Sequence, residues 1–332
     1  MTPLHTPVVI PETHLKTDYR KRHVLIGSCF TENIGTRMEN LKFSTDINPF
    51  GILFNPLSIC NCIQRLISGE EFSAAELFHH GGLWHSYQHH GRFSSVSQET
   101  TLQNINTRIT SGASYIREAD FLVLTLGTAW VYELKETGRI VANCHKVPSS
   151  AFKRYRLSVG ETVDGLRGTL EQLWKVNPAI KTIITVSPVR HMKDGAVENQ
   201  VSKATLLLAA DALVRGFGEE RCSYFPAYEL MMDELRDYRF YAEDMVHPSP
   251  VAAELIWEKF RDWLADKESR DLSQQISSLM LAFHHRPLNP EIPEYQLFLS
   301  NSLQKALELS KRHPFLDFSA EIEYFSNKKP IT

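Results

Sequence analysis

Two segments far apart in the chain carry side chains that could act together in nucleophilic catalysis. Ser28 and Cys29 lie in a turn of small residues, and Asp244 and His247 lie in a polar segment much later in the chain. A carboxylate three residues before a histidine can hold the imidazole through Nδ1 and leave Nε2 free to accept a proton. The pattern therefore predicts attack of a thiol or hydroxyl on an acyl carbonyl, with one segment supplying both the base and the group that orients it.

Either segment has an ordinary interpretation when it is taken alone. A cysteine after a strand is often a small buried residue, and an aspartate before a histidine often caps a helix. The functional interpretation depends on their combination. Between the two candidate nucleophiles, Cys29 comes first, because a thiol ionises nearer pH 7 and a following helix N-terminus lowers its pKa further. Ser28 remains the alternative.

The elements that must position these residues follow from the hydrophobic pattern. Four apolar runs predict strands at residues 23–26, 121–126, 182–186 and 223–225. Helical patterns follow at residues 97–118, 161–174, 199–217 and 227–236. This alternation predicts an α/β fold, a doubly wound (flavodoxin-like) parallel sheet with helices on both faces. Ligands bind beyond the carboxyl ends of such strands, so Gly127, Thr128 and Ser187, which follow the second and third strands, are further candidates for the site.

The remaining sequence divides the chain into three parts. Residues 1–21 are expected to form an N-terminal arm, residues 22–265 the α/β domain, and residues 266–332 a C-terminal helical extension, since two amphipathic helical patterns occur there without an intervening strand. Within the domain, residues 130–141 have the pattern of a hairpin. Residues 70–96 are polar and rich in histidine, and we expect a long loop near the site.

The turn at residues 27–30 (Gly-Ser-Cys-Phe) together with the late Asp-x-x-His-Pro of residues 244–248 resembles the SGNH (GDSL-like) hydrolases, and within them the GSCFA family. The blocks at residues 48–56, 85–94, 186–188, 202–203 and 244–249 also resemble that family, over roughly residues 22–262. The resemblance implies an ester hydrolase or acyltransferase acting on an oxygen ester, possibly carbohydrate-linked. It implies Cys29 as nucleophile, His247 as base and Asp244 as its orienting partner.

The resemblance also implies an oxyanion hole, made in such enzymes by the nucleophile's own N–H, a glycine N–H and an asparagine side chain. Gly51 is the candidate glycine. The asparagine position falls after Gly127 and Thr128, where this chain has Ala129, which cannot donate a side-chain hydrogen bond. Thr128 or Asn55 could substitute, but losing such a donor typically lowers the rate about 10²–10³-fold. The departure favours the alternative function, a catalytically degenerate ligand- or carbohydrate-binding module.

The histidine-rich loop raises two further questions, substrate contact and metal binding. The family block implies that His85 and His89 contact the substrate. A zinc site with Cys60 and Cys62 is disfavoured, because the spacings match none of the usual structural zinc patterns. We expect no metal at the site.

Composition excludes several other classes of protein. The 332 residues carry a formal net charge of −3, whereas nucleic-acid-binding domains are typically basic. No apolar run approaches the length that a membrane-spanning helix needs. The dinucleotide and P-loop glycine motifs are absent from the sequence, so no cofactor is expected. Five cysteines, an odd number, and a polar N-terminus favour reduced thiols and a cytoplasmic location. The expected partner is a small-molecule or carbohydrate ester.

Overall fold

The computed structural model describes residues 6–327, so the first five residues of the predicted arm and the last five of the predicted extension lie outside the described part. Ten strands occur within it. They are β1 (Arg22–Gly27), β2 (Ser44–Ile47), β3 (Phe78–His80), β4 (Leu83–His85), β5 (Phe121–Leu126), β6 (Trp130–Leu134), β7 (Arg139–Val141), β8 (Phe152–Arg156), β9 (Lys181–Val186) and β10 (Cys222–Phe225).

Helices connect and cover these strands. The helices are α1 (Cys29–Asn40), α2 (Pro56–Ser68), α3 (Gln98–Glu118), α4 (Val159–Val176), α5 (Gly195–Phe217), α6 (Ala227–Glu229, continued by a π-helical turn, Leu230–Glu234), α7 (Pro250–Leu264), α8 (Lys267–His284), α9 (Pro293–Arg312) and α10 (Ser319–Asn327). Several begin at a residue whose side chain accepts a free backbone N–H, including Ser28 before α1, Asn55 before α2 and Ser158 before α4. These residue types are the preferred N-caps, so the helix starts are encoded locally.

The main sheet is parallel throughout, with the strand order β2-β1-β5-β9-β10. The chain runs from β1 to β2 at one edge and then crosses back to place β5 on the other side of β1. The strand order therefore reverses at the carboxyl ends of β1 and β5, which is where ligands bind in open sheets of this kind. The predicted doubly wound α/β fold is confirmed.

The smaller sheets depart from the predictions in detail. The predicted hairpin, β6 and β7, gains a third strand because β8 pairs antiparallel with β6. The segment expected to be an irregular loop contains the antiparallel pair β3 and β4. Strand β2 was not predicted, because its four residues, Ser44–Ile47, contain a single aliphatic side chain and form no apolar run. The segment from residue 227 is a short helix with a π-helical turn rather than one regular helix to residue 236.

Side chains of the central strands alternate between two hydrophobic clusters, one on each face of the sheet. Along β1, Leu25 packs into one cluster, whereas Val24 and Ile26 pack into the other. The same alternation holds for β5 and β9, as the two-residue period of a strand requires. Helices α1 and α7 cover the first face, and α2, α3, α4 and α5 cover the second. Both faces are therefore buried, as parallel sheets require.

Helices α8, α9 and α10 continue the cluster of the first face rather than forming a separate core. Leu272, Ile276, Leu299 and Phe325 are buried in the same cluster as α1 and α7. Each such side chain contributes roughly 1.5–3 kcal/mol when it is fully buried. No helix among residues 6–327 is both long enough and apolar enough to cross a bilayer.

Candidate active site

The turn after β1 places Ser28 and Cys29 at the start of α1. Gly27 has φ +152°, and a Cβ at this position would overlap the carbonyl oxygen of Thr125 on β5, so only glycine fits between the two strand ends. Ser28 is buried and is the N-cap of α1, where its Oγ accepts the N–H of Phe30 at 3.3 Å. Cys29, the first residue of the helix, is partly exposed. The turn thus places a thiol at the switch point of the sheet.

Two effects act in opposite directions on the Cys29 thiol. Burial raises its pKa above the ordinary value, and Glu32 on the same helix adds to this. The backbone amides of Phe30 and Cys29 and the charge of Lys203 lower the pKa, because they stabilise the thiolate. Burial dominates, so the thiol of the unliganded protein needs a base or a bound substrate to become a strong nucleophile.

The Asp-x-x-His segment has the geometry that its sequence predicted. Oδ2 of Asp244 lies 2.6 Å from Nδ1 of His247, and Oδ1 accepts the backbone N–H groups of Val246 and His247 at 2.9 and 3.0 Å. These hydrogen bonds lower the pKa of Asp244 to about 2. Both side chains are about half exposed. The imidazole is therefore fixed through Nδ1, and Nε2 is the nitrogen left for another partner.

These two segments meet at one cavity of about 350 Å³ beyond the carboxyl ends of β1, β5 and β9. It is lined by Ser28, Cys29, Phe54, Gly127, Ser187, Val189, Arg190, His191, Met192, Lys193, Val246 and His247. Among the described residues, His247 forms no hydrogen bond with Ser28 or with Cys29. The contact expected between the base and its nucleophile is therefore absent from this structure. Hydrogen bonds in unliganded active sites often tighten only when substrate binds.

The loops that follow β9 and precede α7 are tied to each other. The backbone N–H of Arg190 donates to the carbonyl oxygen of Val246 at 3.1 Å, and the Arg190 guanidinium lies 4.1 Å from the centre of the Tyr241 ring. Ala242 also donates to the carbonyl oxygen of His247 at 2.8 Å. The position of His247 therefore depends on the loop after β9 as well as on its own segment.

Gly127 and Ser187 line the cavity, and their carbonyl oxygens accept hydrogen bonds from Lys203, which the sequence analysis included only in the family-like block at residues 202–203. Lys203 on α5 is buried, and its Nζ donates to both carbonyl oxygens at 2.7 Å. Burial lowers the pKa of Lys203 to about 7, and the charge of Cys29 acts in the opposite direction. A buried lysine without a carboxylate partner in the described residues is expensive, which makes this position a candidate for function.

Three other residues of the cavity, Arg190, His191 and Lys193, were also not selected from the sequence. Their segment follows Ser187 and has no strand or helix periodicity. Burial lowers the pKa of His191, and the nearby Lys203 lowers it further. The one sequence feature that pointed to this region was the family-like block at residues 186–188, which ends two residues before Arg190.

The structure does not bring the other three candidates for the oxyanion hole to the cavity wall. The N–H of Gly51 donates to Asn48, and Asn55 uses its side chain to cap α2 at Ser58. The Thr128 hydroxyl bonds to Ser202 at 3.1 Å, and its N–H donates to the carbonyl oxygen of Phe54. The polar groups of all three residues are thus already engaged in hydrogen bonds with neighbouring residues of the protein.

His85 and His89 also lie away from the cavity. His85 is held by the Ser94 hydroxyl and the carbonyl oxygen of His80, and its ring packs on His145. His89 is buried and stacked on Phe50, and burial lowers its pKa to about 3. Both side chains therefore pack within the histidine-rich segment, residues 70–96, to which they belong. Within the described residues, no group of three or more histidine, cysteine, aspartate or glutamate side chains has the arrangement of a metal site.

The turn after the first strand and the Asp-x-x-His segment before α7, at the carboxyl edge of a five-stranded parallel sheet, define an α/β protein with its candidate site at the switch point. The chain belongs to the GSCFA family: the family model matches residues 22–260, and the model of the GSCFA C-terminal domain matches residues 276–328. The resemblance inferred from the sequence is thereby confirmed.

Solved structures with a similar chain path include two esterases. One is an acetyl xylan esterase, Est2A, from the rumen bacterium Butyrivibrio proteoclasticus, with 12% identity, a TM-score of 0.40 and 74% of this chain covered. This chain spans 64% of its length. The other is a carbohydrate esterase of family 3 from Talaromyces cellulolyticus, with 9% identity, a TM-score of 0.38, and coverage of 78% of this chain and 99% of the other. No curated protein matches this chain.

Proposed function

We propose that the chain is an ester hydrolase or acyltransferase that forms an acyl-enzyme intermediate on Cys29. The observation that carries the proposal is that Cys29, at the N-terminus of α1, and His247, fixed by Asp244 at 2.6 Å, line the same cavity at the switch point of the sheet. A nucleophile, a base and a group that orients the base are the parts that acyl transfer needs.

In the proposed reaction, Cys29 Sγ attacks the ester carbonyl as His247 Nε2 takes the thiol proton. The tetrahedral intermediate breaks the bond to the alcohol oxygen, and His247 returns the proton to that oxygen as the alcohol leaves. Water then attacks the thioester and regenerates the thiol. Where a carbohydrate or other hydroxyl replaces water, the same steps make the protein an acyltransferase. The N–H of Cys29, in the first turn of α1, is the proposed donor to the oxyanion.

Cys29 is preferred to Ser28 because of what each side chain already does. The Ser28 hydroxyl is buried and accepts the N–H of Phe30 as the helix cap. The Cys29 thiol is more exposed and lies closer to solvent in the cavity wall. Using Ser28 as nucleophile would remove the cap of α1, which typically costs about 1 kcal/mol.

The test compares single substitutions in the hydrolysis of p-nitrophenyl acetate and in formation of a covalent acetyl adduct seen by intact-protein mass spectrometry. Cys29→Ala should remove the adduct and lower kcat/KM by at least about 10³-fold. Ser28→Ala should keep most of the activity. Cys144→Ala is the matched control, because Cys144 is another partly exposed cysteine whose pKa is raised by burial. Loss of activity in Ser28→Ala alone would move the nucleophile to Ser28, and activity in both variants would overturn the proposal.

The second candidate function is a ligand-binding module that has lost the chemistry. Two observations favour it: the Gly51 N–H is occupied by Asn48, and Ala129 stands where the asparagine donor is expected. A thiol-directed probe separates the two functions. Iodoacetamide should alkylate Cys29 faster than Cys144 if the turn is activated, whereas equal rates at the two cysteines would favour the binding module.

A further inference from the structure

The cavity wall carries an unbalanced charge. Arg190 and Lys193 line it, Lys203 lies directly behind the carbonyl oxygens of Gly127 and Ser187, and no aspartate or glutamate is among the described residues that line it. Elsewhere in the same region, arginines have carboxylate partners. The cavity wall therefore carries a net positive charge, whereas these neighbouring arginines are neutralised by carboxylates.

Arg190 and Lys193 are held in place without being neutralised. The Arg190 guanidinium stacks on the Tyr241 ring, and Lys193 Nζ donates to the Tyr132 hydroxyl at 2.5 Å. Neither forms an ion pair with a carboxylate of residues 6–327. Stacking on an aromatic face positions a guanidinium while leaving its N–H groups available.

The carboxylates nearest the cavity already have their own partners. Glu32 accepts from Arg92 at 2.9 Å, Asp194 accepts from Arg154 in a two-bonded pair, and Asp244 holds His247. Pairing reduces the field of these carboxylates without removing it, since Glu32 still raises the pKa of Cys29. The charges at the cavity that have no carboxylate partner are those of Arg190, Lys193 and Lys203, beside the N-terminus of α1.

We propose that the cavity selects an ester that carries a negatively charged group in its acyl part, with Arg190 and Lys193 as the residues that bind this group. The inference rests on the proposed function and adds the substrate class to it. A carboxylate or phosphate matches the geometry of a guanidinium, which can donate two parallel N–H bonds. An anion in the cavity also favours the charged form of Lys203.

The charge of the cavity can be measured without any ester by alkylating Cys29. Iodoacetate is anionic and iodoacetamide is its neutral analogue, so the ratio of their rates reports the local field. We expect this ratio at Cys29 to exceed that of free glutathione by roughly tenfold at low salt. The excess should shrink in Arg190→Gln, in Lys193→Gln and at high ionic strength. Arg215→Gln, an exposed substitution on α5, is the matched control and should leave the ratio unchanged.

The substrate class is then tested with a pair of p-nitrophenyl esters, mono-p-nitrophenyl adipate and its neutral methyl ester. We expect kcat/KM to be roughly tenfold higher for the anionic ester, and the preference to fall in Arg190→Gln. Competition by inorganic phosphate and by acetate distinguishes phosphate from carboxylate as the favoured anion. Equal hydrolysis of both esters would overturn the inference while leaving the proposed function in place. A raised alkylation ratio without hydrolysis of either ester would overturn the proposed function, and with it the assignment of an ester as the anionic ligand of the cavity.

Discussion

Replacing Lys203 by methionine should leave the protein about as stable at neutral pH, although it removes two hydrogen bonds. Burial lowers the pKa of Lys203 from 10.5 to about 7. Since a tenfold change in a protonation equilibrium corresponds to about 1.4 kcal/mol, burial of this lysine disfavours the folded state by about 4 kcal/mol at pH 7. Methionine has a similar shape and no charge. The two carbonyl oxygens left without a donor, on Gly127 and Ser187, cost about 1–3 kcal/mol each. The two effects nearly cancel at pH 7, so we expect the stability of Lys203→Met to lie within about 2 kcal/mol of the wild type there.

The pH dependence gives the sharper test. The unfolded lysine takes up its proton near pH 10.5 and the folded one near pH 7, so the unfolded state binds more protons between these values. The contribution of Lys203 to the free energy of unfolding must therefore rise with pH across this range. At pH 9 the penalty has fallen to about 2 kcal/mol. The stability of Lys203→Met relative to the wild type should accordingly fall by about 2 kcal/mol between pH 7 and pH 9.

Urea unfolding at the two pH values measures both quantities. Lys175→Met, an exposed substitution on α4, is the control and should behave like the wild type at both values. If Lys203→Met is less stable than the wild type by the same amount at pH 7 and pH 9, the lysine is paired with an anion in the folded protein, and the reasoning from burial is refuted.

Three further predictions follow from described contacts. Asp244→Asn removes the charge that fixes His247, and should lower kcat/KM by about 10²–10⁴-fold with little change in the melting temperature, because both groups are half exposed; an unchanged rate for ester hydrolysis would contradict the assignment. Gly27→Ala must push the backbone away from Thr125, and should destabilise the fold by at least about 2 kcal/mol in urea unfolding, with an unaltered midpoint as the contrary result. His23 is fully buried, and burial lowers its pKa to about 4. The unfolded state therefore takes up the proton first, and the free energy of unfolding should fall as the pH drops from about 6.5 to 4. His23→Gln should make this fall shallower in denaturation curves at the two pH values, and parallel curves would count against burial of this imidazole as the cause.

Most of the main sheet could be predicted from the sequence because its central strands are buried on both faces. Such strands read as apolar runs, and β1, β5, β9 and β10 were all predicted near their observed positions. Strand β2 was not, because an edge strand such as Ser44–Ile47 has one partner and tolerates polar residues. The strands β3, β4 and β8 were missed for a related reason: they pair with each other or with β6 outside the main core.

The site residues that could be predicted are those that directly follow a buried strand. Ser28, Cys29, Gly127 and Ser187 directly follow predicted strands, so topology alone brings them to one edge. Arg190 and its neighbours reach the cavity because a loop without periodicity folds over the sheet, and no local pattern records that path.

Lys203 shows a second limit of sequence reasoning. Neighbouring helix positions point about 100° apart, so Ser202 and Lys203 project from α5 in different directions. The structure shows that both are nonetheless buried: Ser202 accepts the N–H of Ala129, and Lys203 reaches past it to the strand ends. The length of a lysine side chain, rather than its helix position, brings its charge to the site.

The shared apolar cluster of α1, α7 and the last three helices restricts where the chain can be cut. The interval between the two family segments, residues 261–275, lies within α7 and α8, which are separated by two residues, Ala265 and Asp266. Ending the polypeptide there would leave α1 and nearly all of α7 over the sheet but would expose to water the apolar side chains that α8, α9 and α10 cover. A shortened form for crystallisation or display should therefore keep residues 22–260 and 276–328 on a single polypeptide. We expect a gene that encodes the first segment without the second to give a product that aggregates.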